Sequence, residues 1–171
     1  KNFGVGILNG TEAVVDGHLT SLDGTEFIYI EPVRRNFNYI SLQDEWQFSD
    51  DVLINLGIRY DHYSDFGSTT NPRIGLTWKF NNKLNFNVYG GSAFKAPSVV
   101  QLYNRNNPVL VGNKDLSPEK ISTFNYGLNF EYNIHDDMLI TLDLFDYKAK
   151  DLIAQVFTPS VQGLRATNIG E

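Results

Sequence analysis

The sequence predicts an all-β protein, an antiparallel up-and-down segment of a transmembrane β-barrel, on three observations. The 171 residues include 12 Phe, 9 Tyr and 14 Gly, a composition that favours strands and turns over helices. Apolar and polar residues alternate with period two in six successive runs, which is the pattern of half-buried strands. Short polar turns and long connections alternate between these runs, as they do around the two rims of a membrane barrel.

The composition also excludes several classes of protein. Lys and Arg number 14 against 20 Asp and Glu, a net charge of −6, so nucleic acid is not expected as a partner. The chain has no cysteine, which removes disulfides, thiolate metal sites and cysteine nucleophiles. Apolar stretches such as residues 52–58 are far shorter than the roughly 18 residues of a membrane-spanning helix. Neither end carries a leader or a closing pattern, so we expect a piece of a longer protein.

The first two runs show the alternation most clearly. From Ile40 the even positions are apolar as far as Phe48, with Asp44 as the one exception. After the short turn at residues 49–51 the alternation resumes through residues 52–61. Because two strands joined so tightly must be antiparallel, these runs predict a hairpin.

Four further runs complete a predicted meander of six strands within residues 33–150. They cover residues 73–80, 84–92, 123–132 and 138–145, with further short turns expected near 81–83 and 134–137. Residues 165–171 are a candidate seventh strand. We therefore divide the chain into an extracellular loop region, 1–32, and a barrel-wall segment, 33–171, with long loops at 94–119 and 151–164.

A soluble or surface-displayed β-sandwich that binds a glycan or a protein is the alternative from a different class, because its strands alternate in the same way. Two features favour the barrel. The polar faces are rich in Gly and Asn rather than in solvated Lys and Glu, and aromatic residues cluster just before the short turns, as in an interfacial girdle. These aromatic residues are Trp46, Phe48, Trp78, Phe80, Phe130 and Tyr132.

The parity of each run also assigns its two faces. One set is expected to face outer-membrane lipid: Ile54, Leu56, Ile74, Leu76, Phe86, Leu128 and Leu142. A second set is expected to face the lumen: Asn55, Gly75, Asn87 and Asn129.

Two long sequence boxes are more specific than the alternation. Residues 90–98 read Gly-Gly-Ser-Ala-Phe-Lys-Ala-Pro-Ser, and residues 112–120 read Gly-Asn-Lys-Asp-Leu-Ser-Pro-Glu-Lys. Earlier, residues 41–46 read Ser-Leu-Gln-Asp-Glu-Trp and residues 56–61 read Leu-Gly-Ile-Arg-Tyr-Asp. In their order and spacing, these phrases resemble the TonB-dependent outer-membrane receptors, and the resemblance covers about residues 35–153.

The resemblance implies a barrel of about 22 strands with a plugged lumen, of which this chain would supply six or seven strands. It further implies a Gram-negative outer-membrane location and coupling to the TonB protein through parts that this chain lacks, including the plug. The expected substrate is a ferric siderophore, with cobalamin, haem or a glycan as alternatives. Haem is disfavoured because no histidine lies between Phe94 and Leu116 to serve as an axial ligand.

No catalytic constellation and no resident metal or cofactor is predicted, because the 3 histidines lie in separate segments and need not converge. The turn His135-Asp136-Asp137 carries metal-ligand types, but a polar turn already requires such residues. We therefore predict that the chain is not an enzyme.

Candidate binding residues lie in two places. The loop after the fourth run carries amides, an aromatic ring and a cation that suit an anionic, hydrogen-bonding ligand: Gln101, Tyr103, Asn104 and Arg105. Arg59, Arg73 and Lys95 share the inward parity and are candidates for lining the lumen. The alternative role of the lumen residues is pairing within the wall, and that of the loop residues is capping the barrel by internal hydrogen bonds.

Overall fold

A computed structural model describes residues 2–14, 17–20, 26–30, 32–81, 84–105, 107, 109–131 and 139–170. Its elements in chain order are β1 (Asn2–Val14), β2 (Gly17–Thr20), β3 (Glu26–Ile30), β4 (Val33–Ser49), β5 (Val52–Tyr63), β6 (Gly67–Asn81), β7 (Leu84–Lys95), α1 (Val99–Tyr103), β8 (Leu110–Val111), β9 (Glu119–Glu131), β10 (Leu139–Lys150), β11 (Leu152–Thr158) and β12 (Gly163–Ile169). A short 3-10 turn, Pro159–Val161, joins the last two strands.

Seven of these strands form one antiparallel sheet in the order β1-β4-β5-β6-β7-β9-β10. The six strands predicted within residues 33–150 are confirmed as β4, β5, β6, β7, β9 and β10, each paired with the next. A meander of this kind is the wall of an up-and-down barrel rather than the two packed sheets of a sandwich. Within the described residues there is no helix long and apolar enough to cross a membrane.

The register places the predicted sets on opposite faces of the sheet. Ile54 lies opposite Leu76, and Leu76 lies opposite Val88, so their side chains share what we call the apolar face. Large side chains remain exposed there, for example Ile74 at 51% and Leu142 at 53%. Asn55 lies opposite Gly75 on the other side, the polar face. The side chains of Leu128 and Asn129 lie outside the described part of the chain.

The aromatic residues before the short turns form pairs on the apolar face. Trp46 meets Phe48 edge-on with ring centroids 6.5 Å apart, and Trp78 meets Phe80 at 5.2 Å. All four side chains are exposed. Amphipathic rings at strand ends are typical of the membrane–water interface. The side chain of Phe130 and the whole of Tyr132 lie outside the described residues.

The short turns fall where they were expected as far as the structure describes them. Asp50 and Asp51 form the turn between β4 and β5. Strand β6 ends at Asn81 and β7 begins at Leu84, so the turn between them, residues 82–83, lies outside the described residues. The same is true of residues 132–138, which include the expected turn at 134–137 and His135-Asp136-Asp137.

The prediction of a loop over residues 1–32 is wrong for residues 2–14. These residues form β1, which pairs with β4 along its full length from Asn2 opposite Glu45 to Val14 opposite Val33. Phe3, Val5 and Ile7 do alternate, but glycines at the intervening positions suggested turns instead of a strand. The following connection contains the β2–β3 hairpin.

The seventh strand of the wall is therefore β1, and not the candidate at residues 165–171. The predicted loop 151–164 is also wrong in part, because Leu152–Thr158 form β11 and pair with β12. Strand β12 is hydrogen-bonded to β8 in parallel and belongs to a separate three-stranded sheet. The wall thus ends at Lys150, and a β-hairpin beyond it packs against the predicted loop 94–119, which contains α1 and β8.

Candidate ligand site at the long-loop rim

The segment between β7 and β9, which we call loop 96–118, begins with the single turn of helix α1. Ser98 caps this helix reciprocally: its Oγ accepts from the backbone N–H of Gln101 at 3.2 Å, and Gln101 Oε1 accepts from the N–H of Ser98 at 2.8 Å. This capping box satisfies donors that the first turn leaves without partners. The Gln101 side-chain oxygen is therefore engaged inside the loop.

Asn104 holds the loop in its fold behind the helix. It is 6% exposed, and its side-chain amide donates to the carbonyl of Leu110 at 2.8 Å. Its own carbonyl accepts from the N–H of Gly112 at 2.7 Å. A Cβ at position 112 would lie 2.6 Å from the Asn104 backbone nitrogen, so only glycine permits this approach.

A small core joins the loop to the β11–β12 hairpin. Leu102, Leu116 and Ala166 are buried together. Asn113 of the second sequence box donates to the carbonyl of Ala166 at 3.0 Å and accepts from Arg165 Nη2 at 2.9 Å. The Asn of that box is thus explained by the docking of the hairpin on the loop, and the Gly by its close approach to Asn104.

The two boxes meet where β7 and β9 pair. Lys95 lies opposite Glu119, and its Nζ is 3.0 Å from Glu119 Oε2. The other oxygen of this buried carboxylate accepts from the N–H of Ile153 on β11 at 3.1 Å. Glu119 therefore connects the wall to the hairpin.

A buried ion pair that the sequence did not reveal lies beneath the loop. Arg35 on β4 is 4% exposed, and its Nε donates to Asp65 Oδ2 at 2.8 Å, where the Asp65 side chain is 6% exposed. Arg35 Nη2 donates to the carbonyl of Pro97 at 2.9 Å. The guanidinium also lies 5.3 Å from the ring centroid of Phe66 and 5.9 Å from that of Tyr63. We call Arg35 and Asp65 the rim pair.

Tyr103, the last residue of α1, lies between the rim pair and the outer part of the loop. Its hydroxyl is 3.5 Å from Asp65 Oδ2. Burial of the hydroxyl, and secondarily the charge of Asp65, raise the pKa of Tyr103 above its ordinary value, so it stays protonated at neutral pH. The ammonium of Lys114 lies 5.5 Å from the centroid of the Tyr103 ring, within cation–π range.

A cavity of about 490 Å³ opens beside Tyr103, and we call it the basic pocket. Three cations, Arg105, Lys114 and Arg165, line it together with one carboxylate, Asp115. Arg165 and Asp115 are 4.0 Å apart, and Asp115 is itself highly exposed. A concave site with an aromatic wall and an excess of positive charge suits an anionic ligand of moderate size.

The structure brings together three of the four loop residues predicted from sequence. Tyr103, Asn104 and Arg105 line the basic pocket, whereas Gln101 does not. The sequence did not point to Lys114 or Arg165 as binding residues, although Lys114 lies inside the second sequence box, residues 112–120. Arg165 was missed because it lies far along the chain and is brought to the pocket by long-range contacts, the β12–β8 pairing and the bond to Asn113.

The lumen-lining candidates all have partners within the wall. Arg59 forms a forked ion pair with Asp61 at distances down to 2.6 Å and lies 3.8 Å above the ring of Tyr39. Arg73 donates to Gln43, and Lys95 pairs with Glu119. Arg59 and Arg73 line a common cavity of about 210 Å³ on the polar face, to which Lys95 does not contribute.

Comparison with known proteins decides the family. The model of the TonB dependent receptor-like β-barrel matches residues 7–171. The chain belongs to this family. The resemblance predicted from residues 90–98 and 112–120 is confirmed, and so is the all-β, barrel-wall fold class. As part of a TonB-dependent receptor barrel, the chain is assigned to the outer membrane of a Gram-negative bacterium.

Curated relatives of this TonB-dependent receptor chain differ in their named substrates. An iron-regulated outer membrane virulence protein of Vibrio cholerae is 28% identical over 70% of the chain and 19% of the relative. The vitamin B12 transporter BtuB of the same species is 31% identical over 64% of the chain and 16% of the relative. A probable TonB-dependent siderophore receptor, PirA of Acinetobacter baumannii, is 30% identical over 71% of the chain and 18% of the relative. The chain thus spans less than a fifth of the length of these relatives.

Solved structures show the same fold. The siderophore receptor PirA of Pseudomonas aeruginosa superposes with a TM-score of 0.78 at 21% identity, over 97% of this chain and 30% of that one. A variant of the ferric enterobactin receptor PfeA of the same species was solved in complex with enterobactin. It superposes with a TM-score of 0.71 at 15% identity, over 97% of this chain and 31% of that one. The TonB-dependent receptor chain described here therefore corresponds to under a third of the length of either receptor chain.

Proposed function

We propose that the chain is the barrel-wall part of a receptor that binds and imports a ferric siderophore across the outer membrane. The observation that carries this proposal is the basic pocket, which is lined by Arg105, Lys114 and Arg165 together with Tyr103 at the long-loop rim. The siderophore receptors among the relatives and structural neighbours support the substrate class.

The chemistry of the pocket fits capture rather than catalysis. A siderophore already encloses its iron, so the receptor recognises the organic chelator and the net charge of the complex. The guanidinium of Arg105 offers forked donors and the ammonium of Lys114 a mobile point charge, while Tyr103 offers a flat amphipathic surface. We infer that the protein is not an enzyme and that import depends on the TonB protein acting through segments outside this chain.

Vitamin B12 is the second candidate substrate, because one relative is a transporter for it. A pocket with an excess of cations favours an anionic complex, and ferric enterobactin is such a complex. We therefore expect ferric enterobactin to bind with higher affinity than vitamin B12.

Replacement of the pocket cations tests this function. In the full-length receptor, Arg105→Ala and Lys114→Ala are each expected to weaken binding of ferric enterobactin about tenfold, because each removes one charge-assisted contact. Binding is measured by quenching of the intrinsic tryptophan fluorescence of the receptor in detergent, with barrel folding followed by heat-modifiable migration on gels.

Lys79→Ala is the matched control, since Lys79 is exposed near the opposite rim of the wall. It is expected to leave affinity unchanged. Equal losses in all three variants, or no loss in any, would contradict a binding role for the basic pocket. Higher affinity for vitamin B12 than for ferric enterobactin would favour the second candidate.

A further inference from the structure

The rim pair connects three separate segments at the base of loop 96–118. Arg35 belongs to β4, Asp65 to the turn between β5 and β6, and Pro97 to the point where the chain leaves β7. Neither Arg35 nor Asp65 lines the basic pocket. Their role is therefore not direct contact with a ligand held there.

The two members of the pair hold the two ends of α1. Arg35 donates to the carbonyl of Pro97, which immediately precedes the helix cap Ser98. Asp65 faces the hydroxyl of Tyr103, the last residue of the helix. A helix of one turn has no stability of its own in water, so contacts at its ends determine where it lies.

We propose that Arg35 and Asp65 are positioning residues, which fix α1 on the barrel rim and so form the basic pocket before a ligand arrives. This inference rests on the proposed function. The link to the pocket runs through Tyr103, whose hydroxyl faces Asp65 and whose ring lies beneath the ammonium of Lys114. A shift of α1 therefore moves both the aromatic wall of the pocket and one of its cations.

The energetics of the pair agree with a positional role. Removing two charges from water is costly, and apolar residues of similar volume commonly give equal or greater stability. Asp65 Oδ1 is buried without a hydrogen-bond partner among the described residues, so this carboxylate is not arranged for maximal stability. A pocket that is already ordered loses less conformational entropy on binding, which raises its affinity.

Asp65→Asn in the full-length receptor tests the inference. Asparagine keeps the volume and one acceptor but removes the charge that orients Arg35 and Tyr103. We expect ferric enterobactin to bind about tenfold more weakly and the amides of Leu102 and Asn104 to exchange hydrogen faster, while heat-modifiable migration stays unchanged. Tyr103→Phe, which removes only the contact at one end of the helix, is expected to weaken binding by about threefold.

Tyr60→Phe is the matched control, because the Tyr60 hydroxyl donates to Ser68 Oγ on the apolar face and Tyr60 does not line the basic pocket. It should change neither affinity nor amide exchange. Faster amide exchange with unchanged affinity would overturn the positioning role. The positioning role would also be overturned if, in both Asp65→Asn and Tyr103→Phe, affinity fell only in proportion to a loss of barrel folding. A parent receptor that binds no ferric siderophore would overturn the proposed function, and the positioning role with it, before any variant is compared.

Discussion

Replacing Leu76 with Arg is expected to destabilise the barrel by about 2–4 kcal/mol, the cost of a cation near the middle of the bilayer. Leu76 lies on the apolar face of β6, between Ile74 and Trp78. The guanidinium of the variant would replace the contact between the leucine side chain and the lipid tails. The free energy of unfolding is measured by urea titration of the full-length receptor in lipid vesicles.

Thr77→Arg is the matched control, one residue along the same strand. Thr77 lies on the polar face, where its hydroxyl is 3.3 Å from that of Tyr89. A guanidinium at this position meets polar side chains, so the expected loss is well below that of Leu76→Arg. Similar losses in the two variants would show that the apolar face does not contact lipid.

Arg59→Met is expected to cost about 3 kcal/mol, because it leaves the Asp61 carboxylate buried without its ion-pair partner. The Asp61 side chain is 1% exposed, and both of its oxygens accept from Arg59. Arg59 itself is 46% exposed, which places the expected cost at the low end of the range for buried pairs. The measurement is again the free energy of unfolding in urea.

Arg73→Met provides the comparison on the neighbouring strand of the same face. Arg73 is exposed, and its described partner Gln43 is neutral, so its removal leaves no buried charge. We expect a loss below about 1 kcal/mol. If Arg73→Met were as costly as Arg59→Met, burial of Asp61 would not be the reason for the effect.

The strands of the wall were predictable from sequence because period-two alternation is local. Residues within one run are enough to reveal β5, and the short turn at Asp50 and Asp51 is enough to fix its direction relative to β4. Strand β1 was missed because Gly4 and Gly6 occupy its intervening positions. Glycine signals a turn in isolation, but here a Cβ at position 6 would lie 2.6 Å from Ser41 Oγ on the paired strand.

The candidate site was predictable only in its loop residues. A mixture of Tyr, Asn and Arg in the longest loop indicated a polar binding surface, and Tyr103 and Arg105 do line the basic pocket. The rim pair was not predictable, since Arg35 and Asp65 are 30 residues apart and Arg35 and Pro97 are 62 apart. Composition also could not show that the side-chain amide of Asn104 donates an internal hydrogen bond to the carbonyl of Leu110.

Import of a ferric siderophore is tested most directly by the uptake of labelled iron into cells in which the full-length receptor is the sole route for chelated iron. Iron is supplied as ferric siderophores with catecholate, hydroxamate or carboxylate chelators, and vitamin B12 uptake is measured in parallel. We predict that at least one ferric siderophore is accumulated, that deletion of TonB abolishes the accumulation, and that Lys114→Ala reduces it at limiting concentration. Accumulation of vitamin B12 without uptake of any ferric siderophore would contradict the proposed substrate class, and iron uptake that persists without TonB would contradict the proposed energy coupling.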